Sequence, residues 1–501
     1  MNNRLHYRRQ FLLSLAPLEP FANWNCSQID RYYLYAHPDL EFNQLADPKK
    51  TLVLLGDIYD SEEPQKGNAE IMEDIMASAG IIEEFILRIK QYAGCYALLL
   101  KNISSTIFVN DARALREIYY CTATNQIICG SQPNLIAEFS NPEIKPTNDN
   151  DLLDYYNNYL WDSRWVGDET YFAGIKHLLP NHYLDINKRK AYRYWPNEPL
   201  VRLQLKEAVS KSSAFLQGIM KAIVHRHAVM MAVTSGTDSR ILLAASKGLQ
   251  DKIYYFVNNH DLGYGNPDIS VPVKIFKKND VKFHVHDVSN DVDDEFRKVF
   301  FHNTFLATER ILPSIYNVFF KKHKEKVLIL GVSEIGRTFY GKAPRRLNSY
   351  RMAYKLEYKE CRYVNKQCEK LVAEMQPVAK KFGINAMVLL YWEQRLGNWG
   401  ATRNSESLIA IEKIDPFNSH LLYETFLGVD EKYRNYLESP CVFFREMIRH
   451  MWPDLLEWPI NPPYALQDKV IWLLVELGLY ELLREIQYQV NYLKHISRAW
   501  M

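Results

Sequence analysis

Strands and helices alternate along the chain from residue 203 to about residue 330, and no other feature constrains the fold as much. Residues 203–225 read as a long helix, 229–233 as a buried strand and 238–247 as a helix. A strand at 253–257, a helix at 271–278 and strands at 281–288 and 327–330 follow. Such alternation dictates a parallel sheet with helices on its faces, since every crossover between parallel strands needs a connecting element. The first 195 residues follow another rule. Short β-rich runs at 51–55, 96–100, 106–110, 118–121, 126–129 and 182–186 are separated by turn residues, as in an antiparallel sheet. Helical patterns at 70–79 and 81–91 make this half α+β. Prolines break the periodicity twice in Tyr194-Trp-Pro-Asn-Glu-Pro199, which marks the boundary between two expected domains, 1–195 and 196–501. From about 345 the chain reads as mostly helical, and it carries no internal repeat.

Composition narrows the function classes. Hydrophobic residues make up 47% and charged residues 24%, ordinary globular usage. Lys and Arg number 61 against 59 Asp and Glu, so charge offers no reason to expect nucleic acid as a partner. The seven cysteines are odd in number and include no CxxC pair, which suits a reducing cytoplasm better than a disulfide framework. The apolar run 11–18 is interrupted by Ser14 and Pro17 and is too short to span a membrane. Residues 470–483 are strongly apolar but carry Glu476 and Glu481, as a buried or amphipathic helix would. No membrane partner is expected.

The segment with chemical content is Val229-Met-Met-Ala-Val-Thr-Ser-Gly-Thr-Asp-Ser-Arg240. An apolar strand runs into small polar residues, and Asp238 and Ser239 then open a helix. Such a turn can aim backbone N–H groups at one point with the positive end of the helix dipole behind them, which suits phosphate oxygens. Asp238 could hold Mg²⁺ against them. The lysine of a Walker A loop is absent. The same residues also serve as a polar strand-to-helix loop in which Asp238 or Ser239 caps the helix.

Thr234-Ser-Gly-Thr-Asp-Ser239 resembles the pyrophosphate-binding loop, SGGxDS, of the ATP pyrophosphatases of the asparagine synthetase family, with Thr for the first Ser and Ser235 for the first Gly. Further segments are similar in the same order: strand 253–257 followed by Asp268, Lys282-Phe-His-Val-His-Asp-Val288, Leu328-Ile-Leu-Gly-Val-Ser-Glu-Ile-Gly-Arg337 and Glu412-Lys-Ile-Asp-Pro-Phe417. In the first half Gly56-Asp-Ile-Tyr59, Tyr92-Ala-Gly-Cys-Tyr-Ala97, Asp111 with Tyr119-Tyr120, and Gly174-Ile with Leu178-Leu-Pro180 resemble the family's amidohydrolase-type domain. The resemblance implies a degenerate α+β sandwich of N-terminal-nucleophile type. An α/β parallel-sheet ATP-pyrophosphatase domain with a mostly helical C-terminal part would follow it.

The same resemblance implies ATP and Mg²⁺ as cofactors. ATP and pyrophosphate would lie against Thr234, Ser235, Gly236, Thr237, Asp238, Ser239, Val257 and Gly331, with the metal on Asp238 and Glu334. Register leaves Ser333 open as the position of the family's aspartate, and Glu334 also reads as a helix-start carboxylate. Glu412 stands where the family carries a catalytic glutamate, with Asp415 as its rival and a surface ion pair as the plain alternative. Arg240, Arg337 and Arg345 are further charge partners or ordinary salt-bridge residues. The start Met1-Asn2-Asn3 lacks the family's cysteine nucleophile and the first cysteine is Cys26, so no glutaminase is expected. The front half would then be a scaffold, as in β-lactam synthetases and lasso-peptide cyclases. His284 and His286 read as core-strand residues, His225 and His227 as a polar helix end, Trp392, Arg395 and Trp399 as one helix face in the core, and Lys469 as a solvated helix residue.

The activity implied is AMP-forming ligation: a carboxylate on a small molecule or peptide is adenylated, pyrophosphate leaves, and an amine attacks to give an amide. Adenylation of a nucleobase or cofactor carbonyl, and an inactive binding or scaffold protein, are the alternatives. The resemblance leaves a homodimer open.

Overall fold

Alternation of apolar residues on two faces builds the first half of the computed structural model, which describes residues 3–18, 23–122, 127–140, 144–160, 164–260, 262–337, 340–341 and 347–499. One antiparallel sheet runs, edge to edge, Ile175–His177 (β10), Tyr119–Cys121 (β8), Cys129–Gly130 (β9), Phe11–Ser14 (β1), Tyr32–Ala36 (β3) and Asn25–Ile29 (β2). The second runs Lys190–Arg193 (β12), His182–Asp185 (β11), Thr106–Asn110 (β7), Ala93–Lys101 (β6), Thr51–Tyr59 (β5) and Phe42–Ala46 (β4). Phe11, Leu13 and Leu34 of one sheet meet Val53, Leu55, Leu99 and Phe108 of the other in a shared core. The alternate residues Leu52, Leu54, Leu98 and Leu100 face the helices Asn68–Ser78 and Ile82–Ile89. Leu12 and Cys121 on the far side pack on the helix Pro133–Phe139. The result is helix, sheet, sheet, helix. Burial on both faces explains why β5 and β6 read as unbroken apolar runs.

The run 11–18 supplies β1 at Phe11–Ser14, a central strand paired with both β3 and β9. Cys26 lies inside the edge strand β2, opposite Tyr35.

The second half has the expected parallel sheet, in the order Phe283–Asp287 (β15), Ile253–Asn259 (β14), Val229–Ala232 (β13), Val327–Ile329 (β16) and Glu412–Ile414 (β17). Val229 is in register with both Ile253 and Val327, and Ile329 with Ile414. The long helix Leu205–Arg226 covers one face. The helix expected from 271 starts earlier, at Pro267, where the Asn266 side chain accepts from the Asp268 N–H. His284 and His286 correct the core-strand expectation: β15 is the sheet edge, and both rings are partly exposed and stack on Tyr254 at 4.0 and 5.9 Å.

The boundary stretch is packed, not loose. Trp195 is buried against Trp392, ring centroids 4.6 Å apart, and its Nε1–H donates to Glu424 at 2.8 Å. Trp392 also stacks with His420 and Tyr423 and donates to the Ala112 carbonyl of the front half at 2.7 Å. Residues 470–483 are not one buried helix. Gly478, at φ +68°, turns the chain between the helices Leu466–Glu476 and Tyr480–Ala499, and the first of these buries no residue; Lys469 is exposed on it. No helix among the described residues is long and apolar enough to cross a membrane.

Candidate active site at the carboxyl ends of the parallel strands

Strand order in the parallel sheet reverses at β13: the chain moves to β14 on one side and later to β16 on the other. In open α/β sheets the crevice outside the carboxyl ends of the strands at such a switch point is where ligands bind. The 234–239 segment occupies one wall of that crevice. It links β13 to the helix Thr237–Ala245, whose first-turn N–H groups, those of Thr237, Asp238 and Ser239, have no carbonyl ahead of them in the helix. That end favours anions.

The loop is braced from several sides. Ser239 Oγ accepts the Thr234 N–H at 3.2 Å, and Thr234 Oγ1 accepts the Gly236 N–H at 3.1 Å. Asp268 Oδ1 accepts from Ser235 twice, from its N–H at 3.1 Å and its hydroxyl at 2.6 Å. Asn461 donates its backbone N–H to the Ser235 carbonyl at 3.0 Å and its side-chain N–H to Thr237 Oγ1 at 3.3 Å. Arg240 departs from its expected role toward phosphate. Its guanidinium is buried and donates to the carbonyls of Leu455 at 2.6 Å and Pro459 at 3.1 Å, and burial lowers its pKa to about 10.

The other wall is the turn after β16. Ser333 donates its N–H to Asp238 Oδ1 at 3.2 Å, and its hydroxyl donates to the same oxygen. Glu334 pairs with Arg337 Nη2 at 2.6 Å. Burial pushes the Glu334 carboxyl up, Arg337 opposes this, and Asp238 adds to it, so the two acids sense one another across the crevice. Arg395, stacked 4.1 Å from the Trp399 ring, lies near enough to pull the other way. Two partly buried carboxylates converging beside a helix N-terminus form a donor set that a divalent cation would balance, and in that respect the residues fit Mg²⁺.

Asp415, immediately after β17, completes the floor. Its Oδ2 accepts the Val332 N–H at 3.2 Å and a bond from Arg113, and its Oδ1 accepts the Phe417 N–H at 2.9 Å. Burial raises its pKa to about 6 against the pull of Arg113. Gly331 is required in this turn because a Cβ there would lie 2.6 Å from the Phe417 ring and 2.9 Å from Asp415 Oδ1. Val257 is buried on β14, opposite Val285 and one residue past the Ala232–Phe256 pair, level with Val233 where the loop begins.

Glu412 is not brought to this group. It opens β17, opposite Val327, whereas the crevice lies at the strand's other end, ~10 Å away for three residues of extended chain. Its carboxylate meets Arg116 at 2.6 Å and Arg9 at 3.9 Å, both from the front half. The carboxylate of the 412–417 segment at the crevice is Asp415. His227 bonds the Tyr59 hydroxyl at 2.9 Å, and Arg345 lies outside the described residues.

Asn461 and Arg113 escaped the reading of the sequence as site residues, Ser333 entered it only as one register for the family's aspartate, and Asp268 only as the acid after the second strand. Arg113 comes from a buried loop organised by Asp111, whose carboxylate accepts the N–H groups of Tyr96, Arg113, Leu115 and Arg116 and the Asn418 amide at 2.7 Å. A carboxylate with that many backbone donors fixes the loop and aims Arg113 and Arg116 at β17.

No family model matches this sequence, and no curated protein matches it. Among solved structures, glutamine phosphoribosylpyrophosphate amidotransferase from B. subtilis, complexed with ADP and GMP, overlaps 56% of this chain and 66% of its own, just under two thirds, at 11% identity and a TM-score of 0.22. The allosteric regulatory enzyme of purine biosynthesis overlaps 59% of this chain and 72% of its own at 9% identity and a TM-score of 0.23. Similarity this weak does not define a shared fold.

Proposed function

We propose that this chain is an ATP-dependent carbon–nitrogen ligase that adenylates a carboxylate, releases pyrophosphate and passes the acyl group to an amine. The observation that carries the reading is the meeting of the 234–239 loop with the 331–334 turn at the switch point of the sheet, through Asp238 and Ser333. The first-turn amides of Thr237, Asp238 and Ser239 would hold departing pyrophosphate, and the loop's bracing by Asp268 and Asn461 keeps them aimed before the substrate arrives. Asp238 and Glu334 would hold Mg²⁺, which when bound supplies positive charge against the phosphates. The carboxylate attacks the α-phosphorus and pyrophosphate leaves; the amine then attacks the acyl carbon and AMP leaves, in keeping with a loop that carries no Walker-type lysine. Because Glu412 is engaged by Arg116, no proton transfer is assigned to it.

A second reading, an inactive binding protein of the same fold, is favoured by how many site groups are already partnered: Ser235 by Asp268 and Glu334 by Arg337. Exchange of labelled pyrophosphate into ATP, assayed with amino acids, peptides and sugar acids as carboxylate donors, separates the two. Exchange with AMP as the product supports the ligase. ADP as the product, or no ATP binding by calorimetry, overturns it.

A further inference from the structure

Among the described residues, the hairpin Leu466–Glu476 and Tyr480–Ala499 meets the body along a stripe centred on Tyr488. Tyr488 is buried among Tyr350, Tyr354 and the Arg351 guanidinium, which lies 4.0 Å from its ring centroid. Arg351 also bonds Glu485, and Tyr436 donates to Glu481. Much of the remaining surface is apolar: twelve large apolar side chains between Leu466 and Leu493 are 37–80% exposed. They follow a pattern. Leu466, Val470, Leu473 and Leu477 are spaced four, three and four apart, and Leu479, Leu482, Ile486, Val490 and Leu493 three, four, four and three. Spacing of this kind builds a seam that accepts another helix by side-chain interdigitation.

We propose that this face is covered by the same hairpin of a second copy of the chain, two hairpins closing into a four-helix bundle about a twofold axis. Three observations favour that occupant. The 3–4 spacing is present on both helices, so the face complements itself. Twelve side chains about half exposed offer roughly 1,000 Å² per copy, above the about 800 Å² per partner of a stable interface. The stretch 466–493 carries Asp468, Glu476, Glu481 and Glu485 against Lys469 and Arg484, lacking the cationic excess of a helix that lies on an anionic membrane.

Sedimentation velocity on the full chain, from sub-micromolar to tens of micromolar, tests this. The wild type should be a dimer, and Leu473→Glu with Leu482→Glu should weaken it by about 100-fold or more while leaving the far-UV spectrum unchanged. A second pair, Val470→Lys with Val490→Lys, answers the same question should the first misfold. A wild type that stays monomeric at the highest concentration, or a dimer that survives in the folded variants, overturns the proposal. So does a monomer that floats with phosphatidylcholine–phosphatidylglycerol vesicles, which would give the face to a membrane.

Discussion

Glu412 and Asp415 stand three residues apart and answer to different arginines, one at each end of a short strand. For Glu412 the consequence is structural. Arg116 is almost wholly buried, so Glu412→Gln leaves a buried cation with an amide and the Arg9 carbonyl but no anion against it. Losing one partner of a buried pair costs about 3–5 kcal/mol, and the remaining hydrogen bond puts this change near the lower end. A thermal melt should show a clear fall in Tm with ATP affinity unchanged. A normal Tm with slowed amide formation would return Glu412 to the chemistry. Asp238→Ala should behave in the opposite way. Its carboxylate begins a helix and, among the described residues, accepts from Ser333, so stability changes by about 1 kcal/mol while calorimetric ATP affinity falls at least about tenfold. Full affinity in that variant would remove Asp238 from the site. The place of Asp238 at a helix start was legible in the sequence because it is local, set by the strand before it and the helix after it. Arg113 was not, because its partner is 302 residues away.

At the level of elements, the 111–116 loop of the front half reaches the crevice through a chain of bonds: Asp111 fixes the loop, Arg113 holds Asp415, and Asp415 holds Val332, next to Ser333 and Asp238. Arg113→Met should therefore cost about 3–5 kcal/mol by stranding Asp415, and Arg113→Met with Asp415→Asn should recover part of it. Denaturant titrations of the two single variants and the double variant measure the coupling. Strict additivity would show that the pair does not connect the halves. The parallel strands were legible because burial on both faces makes each a short apolar run, as in Val229–Ala232. β17 was not legible as a strand, since Glu-Lys-Ile has no such run and pairs only through its backbone. The C-terminal hairpin shows the converse: apolar content signals a buried face only where something packs on it, and among the described residues the body covers the Tyr488 stripe.

Over the whole molecule, one core runs from Tyr59, Ala93 and Ala112 through Trp195 into Leu216, Trp392 and Tyr423, so the two halves share their interior. That interior also holds titratable groups, and they set how stability depends on pH. Burial lowers the pKa of His177 and His182 to about 4 and of His420 to about 3, and His37 is likewise lowered to about 4. Each imidazole is neutral in the fold and charges near pH 6.5 once unfolded, so each favours the unfolded chain increasingly as pH drops from about 6.5 to 4. Buried carboxyls oppose this, Asp111, Glu334 and Glu406 among them. Burial raises Glu117 to about 7 and Asp415 to about 6, so both are protonated in the fold at a pH where the unfolded chain would ionise them, and they favour the fold as pH drops through the same range. His6, His227, His284, His286 and His323 are lowered as well, so among the described residues the imidazoles outnumber the raised carboxyls and unfolding takes up protons on balance. Tm should be lower at pH 5.5 than at pH 7.5. His420, bonded to the Asn181 amide at 3.1 Å and the Tyr194 hydroxyl at 3.2 Å, is the most strongly shifted of the four. His420→Gln can keep one of those bonds without a proton to gain, and should flatten the slope between those pH values. A Tm that rises on acidification would mean the carboxyls dominate, and Asp415→Asn would then be the variant that removes the slope.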